Sequence, residues 1–320
     1  MANKRVYYAS QGVEVGLSAT SGTTVTGAQS VTMNTNFNIE QVFQLGRLAV
    51  YDNVVGDPSV EVSITKALDG NPLIYNLAVG NGDLVTTSDK TTRVQFSVGK
   101  DTINSIGSTG TASVPQAYNS IVCDPIYLQS LSYNFAVDGD FTEEIGFIGL
   151  SKVANTSGLS SPSGGNADRQ TVLRRQNIHI ANTSQLPSGV GNGANISSIS
   201  ISADLGRESM YKLGQFAEFH RYVNFPLEIT MDIEVIAQGL DTFEVNVPAE
   251  ACSGLNLAKE DVSLHLCDSR GTGVYEFDLG NATLTSVAFG GGDTGGGNAN
   301  LTFSYTIYNE FHPKSVGYGI

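Results

Sequence analysis

The 320-residue chain reads as an all-β protein with one or two short helices, arranged as two tandem domains. Three observations carry this reading. Apolar and polar residues alternate along much of the chain, glycine-rich turns separate the alternating runs, and the second half repeats the first. A length about twice that of a usual domain fits two domains, 1–160 and 161–320.

Alternation with period two is the signature of a strand with one face on a core and one in water. Val60, Val62 and Ile64 alternate with Glu61, Ser63 and Thr65, and Leu131, Tyr133 and Phe135 with Ser132 and Asn134. In the second half Leu227, Ile229, Met231, Ile233 and Val235 share one face, opposite Glu228, Thr230, Asp232 and Glu234. Leu301, Phe303, Tyr305 and Ile307 alternate in the same way. Asp138-Gly139 between two such runs predicts a hairpin, because both residues tolerate positive φ. The run Gly290–Gly297 predicts a second hairpin turn. Helix signals are few: Pro72–Val79 opens with a proline suited to the first helical position, and Pro248–Lys259 is a weaker candidate.

The repeat appears when Val31 is laid over Ile199, an offset of 199 − 31 = 168. Glu40 then falls on Glu208, Leu45-Gly46 on Leu213-Gly214, Ala49 on Ala217 and Pro58 on Pro226. Each half next enters an alternating strand that carries a glutamate, Glu61 or Glu228. Further on, RVQFSVGKD resembles DVSLHLCDS and LQSLSYNF resembles LTSVAF. One register held across loops points to duplication. The Ser-, Gly- and Asn-rich segment 154–168 is the expected linker. Asn182–Asn195 matches the loop Ser18–Gly27, and Gly107–Gln116 is an insertion in the first half alone.

Composition excludes several functions. A formal charge of −14 disfavours gripping nucleic acid or anionic lipid. No apolar run approaches the roughly 18–20 residues of a membrane span, and no apolar stretch follows the N-terminal basic residues as a signal peptide requires. Cys123, Cys252 and Cys267 are odd in number and form no C-x-x-C, so neither a disulfide framework nor a zinc ribbon is expected.

No constellation predicts an enzyme, a cofactor or a metal. His179, His220, His265 and His312 are scattered; His265 and Cys267 share a strand face but have no third ligand nearby in sequence. Asp138-Gly139-Asp140 lacks the spacing of a calcium loop, and the glycine run lacks the Lys-Ser/Thr ending of a phosphate loop. Glu143 and Glu144 are strand neighbours, so they point to opposite faces and cannot converge on one substrate atom.

The residues that remain resemble a known family. Gln44-Leu45-Gly46-Arg47 running into Pro58–Ile64, the stretch Leu131–Leu150, and Lys212-Leu213-Gly214-Gln215 running into Pro226–Thr230 are similar to the tail tube proteins of tailed bacteriophages. The likeness spans most of both halves and is one of pattern. It implies two tandem β-sandwich domains of the tail tube type, each a pair of sheets flanked by a short helix. Six domains close into a ring whose inner sheets join as one β-barrel, and rings stack into a DNA-conducting tube. With two domains per chain the ring would be a homotrimer with pseudo-sixfold symmetry. The implied partners are other copies of the chain, the tape-measure protein and transiting DNA in the lumen, baseplate and terminator proteins, and a sheath if the tail contracts. The implied location is the virion, after assembly in the host cytoplasm.

Four barrel strands are expected from each half: Val31–Asn36, Pro58–Lys66, Leu128–Val137 and Phe141–Leu150, then Ile199–Asp204, Pro226–Val235, Thr283–Phe289 and Leu301–Tyr308. Lumen-facing candidates in the first half are Asn34, Glu61, Ser63, Ser132, Asn134 and Glu144. Those in the second are Ser200, Ser202, Glu228, Thr230, Asp232, Glu234, Thr302 and Ser304. The segments Phe37–Asp57 and Leu205–Phe225 are long for hairpin loops, a mark of function, and the resemblance implies that they contact the next ring. Their candidates are Gln41, Phe43, Leu45, Gly46 and Arg47, with Tyr211, Lys212, Leu213, Gly214 and Gln215. Rival expectations are a baseplate hub, distal tail or terminator protein of the same fold, and a tandem β-sandwich adhesin or capsid decoration module.

Overall fold

A computed structural model of the chain describes residues 12–20, 22–98, 119–155, 172–181, 195–236, 259–291 and 299–316. The first half supplies β1 (Val13–Leu17), β2 (Thr23–Thr24), β3 (Ala28–Asn36), β4 (Ile39–Phe43), β5 (Val50–Val55) and β6 (Ser59–Ala67). Helices α1 (Ile74–Val79) and α2 (Leu84–Thr87) follow, then β7 (Thr91–Val98), β8 (Asn119–Ala136), β9 (Thr142–Gly149) and β10 (Val153–Asn155). The second half supplies β11 (Ile178–Ile180), β12 (Asn195–Asp204), β13 (Glu208–Met210), β14 (His220–Tyr222) and β15 (Glu228–Ile236). It ends with β16 (Lys259–Cys267), β17 (Gly273–Gly290), β18 (Asn300–Tyr308) and β19 (Phe311–Ser315). All eight segments expected as barrel strands are strands. The linker expected at 154–168, apart from its first two residues, the loops 107–116 and 182–194, and the helix candidate 248–258 lie outside the described residues.

Fifteen strands form one antiparallel network. Its front layer runs β3-β6-β9-β8-β12-β15-β18-β17, so the halves are joined edge to edge by β8 and β12. The 18-residue strands β8 and β17 each serve two layers. The C-terminal part of β8 pairs with β9 and β12, while its N-terminal part pairs with β7 and β10. In β17 the C-terminal part pairs with β18 and the N-terminal part with β16 and β19. A strand that changes layer at an irregularity makes the corner of a sandwich.

The pairing pattern of the first half recurs in the second, irregularities included. The extra residue is Gln29 in β3 and Ser197 in β12, and 197 − 29 = 168. In β8 and β17 it is Gln129 and Thr285, and 285 − 129 = 156. The corner interrupts the ladder at 124–125 and again at 280–281, also 156 apart. One expectation needs correction. Thr35 pairs with Val60 but Ala203 with Ile229, so equivalence in β6 and β15 shifts to 169 and places Glu61 on Thr230. Matching Pro58 to Pro226 missed a one-residue difference in the connecting segment.

Apolar faces of both layers meet in one continuous core that includes residues of both halves. Across the β8–β12 joint, Tyr133 and Phe135 of the front layer lie edge-on to Phe277 of β17, with ring centroids 4.7 and 5.4 Å apart. Edge-to-face packing aligns the positive ring edge with a negative ring face. Helix α1 falls where the proline-led segment predicts one, whereas α2 has no counterpart in the sequence reading.

α1 is held by a buried carboxylate. Glu143 accepts hydrogen bonds from the Ile74 and Tyr75 amides at 2.7 and 3.1 Å and from the Tyr133 hydroxyl at 3.1 Å. Burial raises its pKa, against the pull of Lys66 and these donors. Lys66, also fully buried, donates to the Asn71 and Pro72 carbonyls and pairs with Asp69 at 3.4 Å. Its pKa is lowered by burial, against Asp69 and Glu143. From the other half, the Ser315 hydroxyl donates to Asn76 at 2.8 Å and accepts from the Leu73 amide at 3.0 Å. The α1 segment is thus fastened to both halves.

Candidate functional site

Outward positions of the front layer form a polar face. All fourteen residues expected to line a lumen sit on it, alternating with side chains that point into the core. One rung crosses all eight strands: Ser30, Thr65, Glu144, Ser132, Ser202, Thr230, Thr306 and Thr283. Seven of the eight carry a hydroxyl. The face also holds Glu61, Asp204, Glu228, Asp232 and Glu234, and among the described residues no lysine, arginine or histidine points outward from these strands. Hydroxyls and amides hold several of the carboxylates: Ser63 donates to Glu144 at 3.1 Å, and Ser198 and Asn300 donate to Glu234 at 2.9 and 2.7 Å. A hollow of about 390 Å³ beside Gly146 and Ser130 is bounded by Glu61, Glu144 and Asp204.

Among the described residues the front layer is open, with two unpaired edges. Among the described residues β3 pairs with β6 alone, and β17 beyond Thr283 pairs with β18 alone. Neither edge segment, AQSVTMNTN in β3 or TLTSVAFG in β17, contains a charge or a proline. These are the devices by which a solitary sheet blunts its edges. Val31 and Met33 of β3 are only half-buried, and Phe289 of β17 is 62% exposed. Residues at the equivalent places of the β8–β12 joint (Ile199, Ile201 and Tyr133) are buried.

The segments 37–57 and 205–225 prove to be hairpins, β4–β5 and β13–β14. They extend from the end of the front layer opposite the Asp138–Asp140 turn. Their tips match: Gly46 and Gly214 have φ of 81° and 85°, and the preceding Leu45 and Leu213 are 103% and 104% exposed. The positive φ suits glycine, which has no Cβ to oppose it. The first hairpin also exposes Phe37, Ile39, Phe43, Leu48 and Tyr51, and the second Tyr211, Phe216 and Phe219. Gln41 and Arg47, and likewise Lys212 and Gln215, share these exposed arms. At the base of the second arm Arg207 donates to the Leu128 and Ser88 carbonyls, and Arg221 grips Glu218 through contacts of 2.9–3.1 Å. The alternation rule did not reveal these strands, because β4 and β5 carry apolar residues on both faces.

On the back layer His265, Glu276 and Asp278 bring ligand-type atoms within 4.8 Å of one another. Glu276 and Asp278 lie on the strand beside His265, a relation the sequence does not display. The Lys314 ammonium already serves this group: it contacts Glu276 and lies 3.8 Å from Asp278. Its hydrogen bond lowers the Glu276 pKa, and the Lys314 pKa rises correspondingly. Cys267 shares the His265 face but is not part of the cluster. Glu143 and Glu144 do point apart, one buried and one exposed.

No family model and no curated protein matches the chain. Among the described residues no helix is long and apolar enough to cross a membrane.

Proposed function

We propose that the chain is a structural virion protein, a phage tail tube protein with two tandem tube-type domains. In this reading three chains join through their front layers into a closed pseudo-hexameric ring, the rings stack, and the stacked bore conducts DNA. The observation that carries it is the front layer itself. Eight strands from two equivalent halves present one continuous face of hydroxyl, amide and carboxylate groups without a cation. A channel wall of this kind repels phosphates and forms no contacts that release counterions, so DNA passes without being held. The exposed leucine-tipped hairpins at one end of the layer supply apolar arms for contact with a neighbouring ring. Tape-measure, baseplate and terminator partners follow from the resemblance to the tail tube family.

Electron microscopy of the purified protein in negative stain tests the proposal. Rings or tubes with three chains per ring are expected. Single rings that never stack would favour a hub or terminator role, and dispersed monomers at high concentration would count against any tube.

A further inference from the structure

We infer that a second copy of this chain adds its β3 antiparallel to the C-terminal part of β17, head to tail, with Asn34 opposite Ala288. The inference rests on the proposal that copies join through their front layers, and it specifies the partner surface and its register.

The chain contains its own template. At the internal joint, Ser202 lies opposite Ser132, Ile201 opposite Tyr133 and Asp204 opposite Ser130. The matched irregularities carry β12 onto β3 by subtracting 168 and β8 onto β17 by adding 156. Ser202 and Ser132 then become Asn34 and Ala288 (202 − 168 and 132 + 156). Ile201 and Tyr133 become Met33 and Phe289, and Asp204 and Ser130 become Asn36 and Ser286. Both outer edges therefore repeat surfaces that are already known to pair, but with different partners.

Side-chain chemistry agrees with this register. The apolar members, Met33 and Phe289, fall on the core side, where Phe289 would gain the cover that Phe277 gives Tyr133. Asn34, Asn36, Ser286 and Ala288 fall on the polar side and bring no like charges together. A slip of one residue would set Phe289 beside polar-face residues of the incoming β3 in place of Met33. Pairing of two identical edges about a twofold axis would abandon the joint that the chain itself displays; a head-to-tail contact repeats it and can close into a ring.

Disulfide trapping reads the register directly. At the internal joint the Val137 amide donates to the Ser197 carbonyl and the Leu205 amide to the Gln129 carbonyl. Ser132 and Ser202 therefore form a non-hydrogen-bonded pair, whose Cα separation of about 4.5 Å lies within disulfide reach. The double variant Asn34→Cys/Ala288→Cys, concentrated and mildly oxidised, is expected to give intermolecular cross-links on a non-reducing gel. The single variants and the two-residue slip Asn34→Cys/Ser286→Cys are expected to give none above wild type. Efficient cross-linking of the slipped pair would overturn the register, and dimers of Asn34→Cys alone would show twofold edge pairing instead. No cross-link, whether light scattering finds assemblies or monomers, would overturn docking at these edges. Cross-linked chains that grow past three copies would leave this inference standing and remove the trimeric ring.

Discussion

Replacing Phe289 with alanine is expected to weaken self-association about a hundredfold while costing the isolated chain little. Phe289 and Tyr133 hold equivalent places in the two halves, yet Tyr133 is fully buried and Phe289 is 62% exposed. A buried phenylalanine covers about 200 Å². The exposed share is then about 120 Å², which at about 25 cal/mol per Å² is worth about 3 kcal/mol at each joint. That corresponds to a factor of about 160 in the association constant. The part already buried limits the loss of chain stability to about 1–2 kcal/mol. Tyr133→Ala at the internal joint should behave in the opposite sense. It opens a cavity against Phe277 and removes a donor from Glu143, so about 3–5 kcal/mol of folding stability is lost. Sedimentation velocity over a concentration series measures the first effect, and urea denaturation of the dilute protein measures the second. If Phe289→Ala associates as tightly as the wild type, Phe289 is not at a joint. If both variants lose the same stability, the equivalence of the two positions has no energetic meaning.

Other residues make separate predictions. Lys66→Met strands Asp69 and Glu143 in the core without their cation and should cost about 3–5 kcal/mol in denaturant titrations. Leu45→Asp combined with Leu213→Asp should leave rings intact and abolish their stacking, as counted in electron micrographs; tubes of normal length would show that the hairpin tips carry no contact. Glu228→Lys with Glu234→Lys should turn a protein that does not retard DNA at low salt into one that does, with binding lost as salt is raised. The lowered Glu276 pKa stabilises the fold above the ordinary carboxylate value and is lost as pH falls through the lower folded value. Lys314→Ala should therefore flatten the acid limb of a melting-temperature profile below pH 4.5.

The parts of the fold legible in the sequence are those governed by local pattern. Glu61 beside Val60 and Val62 reveals both a strand and its wet face, because strand side chains alternate whatever lies next to them. The repeat of Leu45-Gly46 in Leu213-Gly214 is legible for a similar reason: the turn needs its glycine. What escaped notice depends on pairing between distant segments. The first half of β8 reads poorly as strand since Asp124-Pro125 interrupts it, yet that interruption is the corner between layers. Strands β4 and β5 hide because an arm exposed on both sides has no core face to impose alternation. The pairing of His265 with Glu276, and the free edges of β3 and β17, are properties of sheet order, which no single strand encodes.

Sheet order also bears on how many chains a ring needs. Each chain contributes eight front-layer strands. With about 4.8 Å between strands and a tilt near 40°, two chains give a barrel circumference of about 100 Å and a backbone diameter of about 32 Å. Side chains about 5 Å deep on each wall leave a bore of about 22 Å, which sets the carboxylates against a DNA duplex. Three chains give about 150 Å and 48 Å, and a bore of about 38 Å. The larger ring leaves roughly one Debye length, about 8 Å, between duplex and wall on every side, so the acidic face can centre the DNA while solvent screens the repulsion. On the proposed function, then, charge and strand count favour the same trimer that the tail tube resemblance implies. A measured bore near 22 Å would break that agreement and require the acidic face to serve some purpose other than passing a duplex.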